Sequence, residues 1–258
     1  MMKHIYEKML CLIALLLSVT LTAAVGNARE QNRQQNTVRY SSGTGFFVSR
    51  QGQIITNAHV ISPCGDHQRV TFANHRTGKT PREARVVAVD EKRDLALLAT
   101  GYRPERIAYL RFGHDEVKPE EEVMLIGYPN ARSVDSPYVV ATSTIKALEG
   151  PFGEDTWLQF NDAARHGNSG GPLLDLAGNV VGVVTAKSKV MRMNRFSSQR
   201  ELIAESDLAV TSEELRRFLD EYSVHYNQEE SGYLLSPRRI ETMAQSYVVH
   251  IFCSTESN

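Results

Sequence analysis

The sequence is poor in the features that mark several specialised classes of protein. It has three cysteines and one tryptophan in 258 residues, and its 29 basic and 30 acidic side chains leave a formal net charge of −1. Proteins that bind nucleic acids usually present a strongly basic face. The eight histidines are scattered without the spacing of metal ligands. We therefore expect no nucleic-acid partner and no metal or other cofactor, and the apolar content of 41% is that of an ordinary globular protein.

Long apolar runs are also lacking, except at the N-terminus. Two lysines precede the apolar segment 9–17, which passes into small residues that end at Ala28. A positive start, a short apolar core and a small-residue end predict a secretory signal peptide over residues 1–28, cleaved after Gly26 or Ala28. An uncleaved membrane anchor is the alternative, because a spanning helix needs about 20 mainly apolar residues. We expect a periplasmic or secreted protein without stable membrane insertion after cleavage.

Helical patterns are scarce until late in the chain. A polar, flexible lead-in is predicted over 29–39. After it, short apolar runs separated by turn residues predict strands at 45–48, 53–56, 69–73, 85–89, 95–99, 122–126, 138–145, 156–160, 180–185 and 208–210. Strands without helices between them favour an all-β barrel or sandwich. A capping box predicts the first helix after Thr211, and a serine followed by proline predicts a second one after Ser236.

The strongest chemical signal is the hexapeptide GNSGGP at 167–172. A serine hydroxyl is a poor nucleophile until a neighbouring base takes its proton. Glycines around the serine let the backbone curl, so that two amide N–H groups face one point and stabilise the oxyanion of a tetrahedral intermediate. The segments TNAHV at 56–60 and DLALL at 94–98 supply a histidine and an acid, although each is weak evidence alone.

Together these segments resemble the chymotrypsin-fold peptidases, specifically the HtrA/Deg branch. The resemblance covers residues 40–222, and it rests on the hexapeptide and on GTGF at 43–46, TNAHV at 56–60, DLAL at 94–97, NDAA at 161–164 and GVVTA at 182–186. It implies an all-β fold of two six-stranded antiparallel β-barrels, about 40–115 and 120–210, with C-terminal helices. It also implies a serine endopeptidase that acts on proteins or peptides, unfolded chains among them, through an acyl-enzyme.

The resemblance also assigns roles, which follow the general template of the serine, histidine and aspartate triad. Ser169 would be the nucleophile, His59 the general base and then the acid, and Asp94 the group that orients the imidazole. The backbone amides of Gly167 and Ser169 would form the oxyanion hole. The substrate pocket would be lined by three small side chains, which favour cleavage after small or medium aliphatic residues: Ala163, Thr185 and Ala186.

The chain departs from the resembled branch in lacking a PDZ domain and in the run 162–167, which is one residue shorter than the usual form, so the loop that shapes the specificity pocket is expected to differ. Only 36 residues follow Tyr222, fewer than a PDZ domain needs, so peptide sensing by such a domain is not expected. The residue before the serine is Asn168, where pancreatic relatives have an acid that pairs with a newly cut N-terminal amine. We therefore expect no activation of that kind, and the oligomeric state stays open.

The C-terminal extension, 223–258, carries a second helical pattern followed by an apolar run at 247–253. A strand there would close the N-terminal barrel, in its own chain or in a swapped partner, because an open barrel exposes an edge. A tail packed on the surface is the alternative. Cys11 is lost with the signal peptide, so Cys64 and Cys253 remain as a possible disulfide pair in an oxidising compartment.

Two other functions remain open at the level of the sequence. Residues 167–171 also fit the nucleophile elbow of α/β-hydrolase esterases, with Asp207 and either His225 or His250 as later partners, but that elbow requires a helix after the serine. A gated enzyme or a non-catalytic trypsin-like binding module is the third reading. The acid-free basic stretch 187–200 is either a solvated loop or a site for an acidic partner.

Overall fold

The computed structural model describes residues 40–65, 68–74, 80–112, 117–129, 137–161, 163–193 and 200–255. The side chains of residue 68 and of residues 186–193 and 200–205 fall outside this description. The predicted signal peptide and lead-in therefore lie outside the described residues, and so do all side chains of the basic stretch 187–200. None of the helices in the described ranges has the length and apolar character needed to span a bilayer.

The first barrel is a closed ring of six antiparallel strands in the order β1-β14-β3-β4-β5-β2. Its members are β1 (Tyr40–Phe47), β2 (Gln53–Thr56), β3 (Gln68–Ala73), β4 (Arg82–Asp90), β5 (Leu95–Thr100) and β14 (Val248–Thr255). Phe47 and Phe72 are fully buried and meet edge to face with ring centroids 5.6 Å apart. Closure of the ring leaves no unpaired edge, so every strand finds backbone partners on both sides.

The second barrel is also a six-stranded antiparallel ring, β10-β7-β8-β9-β12-β11, closed by the pairing of β10 with β11. Its members are β7 (Glu122–Gly127), β8 (Val139–Ala147), β9 (Trp157–Phe160), β10 (Pro172–Asp175), β11 (Val180–Met193) and β12 (Arg200–Thr211). Its interior is filled by apolar side chains such as Val123, Leu158 and Phe160. The two rings confirm the fold that the sequence predicted.

Two short strands extend the second barrel beyond the prediction. β6 (Tyr109–Arg111) pairs in parallel with β11, and β13 (Asn227–Glu229) pairs in parallel with β6. Each has only three residues, too few for an alternating pattern to show in the sequence. No strand was predicted at β10, which directly follows the glycines of the hexapeptide.

Two of the three helices described begin where the capping residues predicted, and a short one at Ala58–Ile61 was not predicted. The four-residue helix α1 (Ala58–Ile61) follows β2 and continues into a 3₁₀ turn, Ser62–Cys64. Helix α2 (Ser212–Glu221) follows β12, and the side chain of Thr211 accepts a hydrogen bond from the amide of Glu214. Helix α3 (Pro237–Ala244) starts in the same way after Ser236.

The last strand, β14, lies in the barrel of its own chain between β1 and β3. Val249 and Ile251 are fully buried, which explains why this segment is apolar although it lies far from the rest of the barrel in sequence. A disulfide joins Cys64, at the end of the 3₁₀ turn, to Cys253, with Cα atoms 6.1 Å apart. The first barrel is therefore assembled from both ends of the described chain.

Candidate active site

His59 and Asp94 meet on the first barrel. His59 lies on α1 directly after β2, and Asp94 ends the turn that leads into β5. The Asp94 Oδ2 is 2.8 Å from His59 Nδ1, and its Oδ1 accepts the backbone amide of His59 at 3.0 Å. Asp94 has a positive φ of 55°, uncommon for a residue with a side chain. The Asn57 amide group donates to the Asp94 carbonyl at 2.8 Å, which holds this turn in place.

Thr185 connects this pair to the predicted nucleophile. Its hydroxyl donates to the Oδ2 of Asp94, and its carbonyl accepts the hydroxyl of Ser169 at 2.6 Å. No hydrogen bond joins Ser169 to His59, although both residues lie in the described part of the chain. The three predicted triad residues therefore come together around Thr185, with the serine hydroxyl turned toward that carbonyl instead of the imidazole.

The turn that carries Asp94 is anchored to α2 by Arg93. The guanidinium donates to Asp90 at 3.0 Å, to Glu214 at 3.0 Å and to Glu221 at 2.6 Å. The hydrogen bond from Arg93 lowers the pKa of the Glu221 carboxyl below its usual range. Bonds to a planar guanidinium fix direction as well as distance, so the orientation of the turn depends on a helix that follows the second barrel.

The loop of the hexapeptide is shaped by its glycines. Gly167 and Gly170 have positive φ values of 100° and 85°, which suit glycine. A Cβ at Gly170 would also collide with the carbonyl oxygen of Thr44. Within the described residues, the backbone amides of Gly167 and Ser169 donate to no protein acceptor. These are the two amides predicted to form the oxyanion hole.

The three predicted pocket residues differ in position. Ala163 is buried in the turn before the hexapeptide, and its amide donates to Asp207 Oδ2 at 2.7 Å; the amide of Ala164 donates to the same oxygen at 2.6 Å. The Thr185 hydroxyl contacts Asp94 as described above. The side chain of Ala186 lies outside the described residues. Asp207 is 1% exposed on β12, and the sequence predicted it only as a partner in the esterase alternative, not at this turn.

The partners that an esterase would need do not assemble around Ser169. His225 is exposed after α2, and His250 is fully buried in β14. The serine is followed by a turn and then by strand β10, so the helix that a nucleophile elbow requires is absent at this described position. The esterase alternative is therefore wrong for this fold.

Known proteins share this architecture. The profile of the trypsin-like peptidase domain matches residues 43–183. The chain is 32% identical over 213 residues to an uncharacterised protein of Sinorhizobium fredii, which covers 83% of this chain and 32% of that one. It is 30% identical over 171 residues to a probable periplasmic DegP-like serine endoprotease of Brucella suis, covering 62% of this chain and 32% of that one.

One solved structure is similar over most of its length. It is the Rv3671c protease of M. tuberculosis in an inactive form, with 29% identity, a TM-score of 0.52, and coverage of 71% of this chain and 87% of that one. The chain spans about a third of the length of the curated relatives named above. The family profile covers more than half of the chain and includes all three predicted triad residues. This chain belongs to the trypsin-like peptidase domain family and has HtrA/DegP proteins among its relatives.

Proposed function

We propose that this protein is a serine endopeptidase in which Ser169, His59 and Asp94 act as the catalytic triad. The observation that carries the proposal is the pair formed by His59 and Asp94, linked through Thr185 to Ser169. An acid on Nδ1 of a histidine fixes the tautomer whose Nε2 can take a proton. The side chain of His59 is 49% exposed, so a substrate can reach it, whereas that of Asp94 is 17% exposed.

In the proposed reaction the Ser169 hydroxyl leaves the Thr185 carbonyl and turns to His59. His59 takes its proton as Oγ attacks the peptide carbonyl carbon, and the negative charge moves to the carbonyl oxygen. The amides of Gly167 and Ser169 would receive that oxygen. His59 then protonates the leaving amine, and a water molecule hydrolyses the acyl-enzyme by the reverse sequence.

The hydrogen bond that the Ser169 hydroxyl forms in this structure is only a small barrier to catalysis. The hydrogen bond from Ser169 to the Thr185 carbonyl must be broken before attack, and a typical bond of this kind contributes about 1 kcal/mol. Rotation about a single bond makes the change, and substrate binding would supply the energy. A purely non-catalytic module would not need the two hydrogen bonds that hold Asp94 against His59.

We also propose that the protein works outside the cytoplasm on polypeptide substrates. The predicted signal peptide and the disulfide between Cys64 and Cys253 support export, since disulfides persist in oxidising compartments. The DegP-like relative is described as periplasmic. The backbone amides of Gly167 and Ser169 and the exposed side chain of His59 suit the carbonyl of an extended peptide chain, and unfolded proteins offer many such segments.

The proposal is tested with the secreted, purified protein, unfolded casein and a fluorophosphonate probe. The wild type should cleave casein and carry the label on Ser169, and Ser169→Ala or His59→Ala should lower cleavage by roughly 10⁴- to 10⁶-fold. Ser143→Ala is the matched control, because its hydroxyl contacts only the Asn161 carbonyl on the surface, and it should behave as the wild type. More than a tenth of wild-type cleavage in either triad variant would refute the mechanism.

A further inference from the structure

Thr44 lies at the point where the first barrel contacts the hexapeptide loop. It is fully buried in β1 and forms four hydrogen bonds. Its amide donates to the Ser169 carbonyl at 2.8 Å, and its hydroxyl donates to the Gly167 carbonyl at 2.8 Å. Its hydroxyl also accepts the Tyr128 amide at 3.0 Å, and its carbonyl accepts the Thr56 hydroxyl at 2.7 Å. Thr44 is therefore fixed from both barrels.

Two of these bonds end on the carbonyls of Gly167 and Ser169, on either side of Asn168. A peptide group is planar, so a hydrogen bond that holds its oxygen also holds the direction of the whole group. Gly167, with φ of 100°, joins two peptide groups. The group before its Cα carries the Gly167 amide, and the group after it carries the carbonyl that Thr44 binds. The hydroxyl of Thr44 consequently fixes the peptide group that follows Gly167, which leaves the Gly167 amide only the rotations about the two backbone bonds of the Gly167 Cα.

Glycines allow the threonine to come this close. A Cβ at Gly43 would lie 2.9 Å from the Ser169 carbonyl oxygen, and a Cβ at Gly127 would lie 2.8 Å from the Thr44 hydroxyl. Real Cβ atoms essentially never come so near, so a side chain at either position would push Thr44 and the loop apart. The two glycines thus leave space beside the Ser169 carbonyl and beside the Thr44 hydroxyl.

The C-terminal strand supports the same residue from behind. In the β1–β14 pairing, Thr44 lies opposite His250. The His250 ring stacks on the ring of Tyr128 with centroids 5.0 Å apart and planes 11° apart, and the Tyr128 amide is the donor to the Thr44 hydroxyl. Strand β14 is therefore connected to the active-site loop through three residues in contact: His250, Tyr128 and Thr44.

We propose that Thr44 is the positioning residue of the oxyanion hole: its hydroxyl, supported by the tail strand, holds the 167–169 backbone so that the amides of Gly167 and Ser169 converge. This inference rests on the proposed function. Thr44 would not touch the substrate. It would act through the Gly167 carbonyl, so it should affect stabilisation of the transition state more than binding of the substrate.

The test compares Thr44→Val, which keeps the shape and loses the hydroxyl, with Thr44→Ser, which keeps the hydroxyl. Loss of a direct oxyanion donor costs about 10²- to 10³-fold in kcat, so an indirect effect of about 10- to 100-fold is expected for Thr44→Val. KM should change less than about threefold, because substrate binding does not use this bond. Thr44→Ser should stay within about threefold of the wild type in kcat.

A second readout follows the oxyanion itself. A peptide aldehyde forms a tetrahedral adduct with the serine, whereas the matching peptide acid, a product, does not. The aldehyde should lose affinity for Thr44→Val in parallel with kcat, and the acid should bind both proteins equally. The pH profile of kcat/KM should keep its shape, since His59 and Asp94 are not changed. Thermal melting checks the fold, and Thr44→Ala replaces the valine variant if that one does not fold.

The outcomes separate the two proposals. A wild type that neither cleaves casein nor labels Ser169 rejects the proposed function together with the role of Thr44. An active wild type with an equally active Thr44→Val variant rejects the role of Thr44 alone. Equal losses in the valine and serine variants, or a loss confined to KM, also reject it, because the hydroxyl would then not be the group that matters.

Discussion

His250 gives a prediction about stability that can be worked out from its surroundings. The residue is fully buried in β14, between the rings of Tyr128 and Phe252, and neither ring nitrogen has a hydrogen-bond partner within the described residues. Burial disfavours the charged imidazolium and lowers the pKa of His250 from its ordinary value of 6.5 to about 4. At neutral pH the ring is therefore neutral in the folded and the unfolded protein.

The sign of the effect follows from which state binds the proton. Between pH 6.5 and about 4, the unfolded chain protonates this histidine and the folded protein does not, so the free energy of unfolding falls as the pH falls. The loss is complete below about pH 4. The difference between the two pKa values, at about 1.4 kcal/mol per unit, sets its upper size at about 3 kcal/mol. Much of a typical domain's stability, about 5–15 kcal/mol, would remain.

The measurement is urea unfolding of the wild type and of His250→Phe at pH 7.5, 6, 5 and 4. Phenylalanine keeps an aromatic ring against Tyr128 and cannot take a proton, and all other titrating groups are shared, so their effects cancel in the difference. The wild type should lose up to about 3 kcal/mol relative to the variant between pH 7.5 and 4. His225→Phe is the control, because it makes the same replacement at an exposed histidine instead of the buried one.

A difference between wild type and His250→Phe that stays constant over this range would refute the reasoning. It would mean that the imidazole has a proton-binding partner or reaches water in the folded protein. A difference that grows in the opposite direction would mean that the folded protein binds the proton more tightly than the unfolded chain.

The remaining predictions concern the supports of the site and the choice of substrate. Arg93→Ala should lower kcat by about tenfold or more, because it releases the turn before Asp94, and Arg93→Lys should restore only part of it. Replacement of both Cys64 and Cys253 by alanine should lower the free energy of unfolding by about 2–4 kcal/mol in chemical denaturation. Residues added before the mature N-terminus should leave casein cleavage unchanged, because Asn168 has no charge to pair with an amine. Mass spectrometry of cleaved casein should find mainly small or medium aliphatic residues before the cut, and a majority of lysine or arginine would contradict this.

Much of the fold could be predicted because local patterns and the global architecture agree. Short apolar runs without intervening helices predicted at least part of every strand except β6, β10 and β13, and the caps at Thr211 and Ser236 predicted the starts of both long helices. β6 and β13 were not predicted because a three-residue strand is too short to show an alternating pattern. Their parallel pairing also depends on residues that are distant in sequence. β10 escaped because its signal is masked by the glycines and proline that precede it.

The candidate site, like the fold, was predictable only in part. A nucleophile motif and two short segments are enough to propose Ser169, His59 and Asp94 as a triad, because that chemistry requires those residue types. The contacts between residues far apart in the chain had no such signal. The bond from Thr185 to Asp94, and the hold of Asp207 on the Ala163 turn, depend on strands β11 and β12 that meet the loop only after folding. The direction of the serine hydroxyl is a torsion angle, which no sequence pattern encodes.

The C-terminal strand, β14, contributes both to the fold and to the candidate site. β14 closes the first barrel, so without it β1 and β3 would both have open edges. It also carries Cys253, bonded to the turn that follows α1, and His250, packed beside Thr44 at the loop. One strand therefore contacts the supports of the histidine and of the serine at once, although it is the last element of the described chain. Barrel closure and support of the proposed active site depend on the same strand, so a change that loosens the tail should lower activity before it unfolds the second barrel.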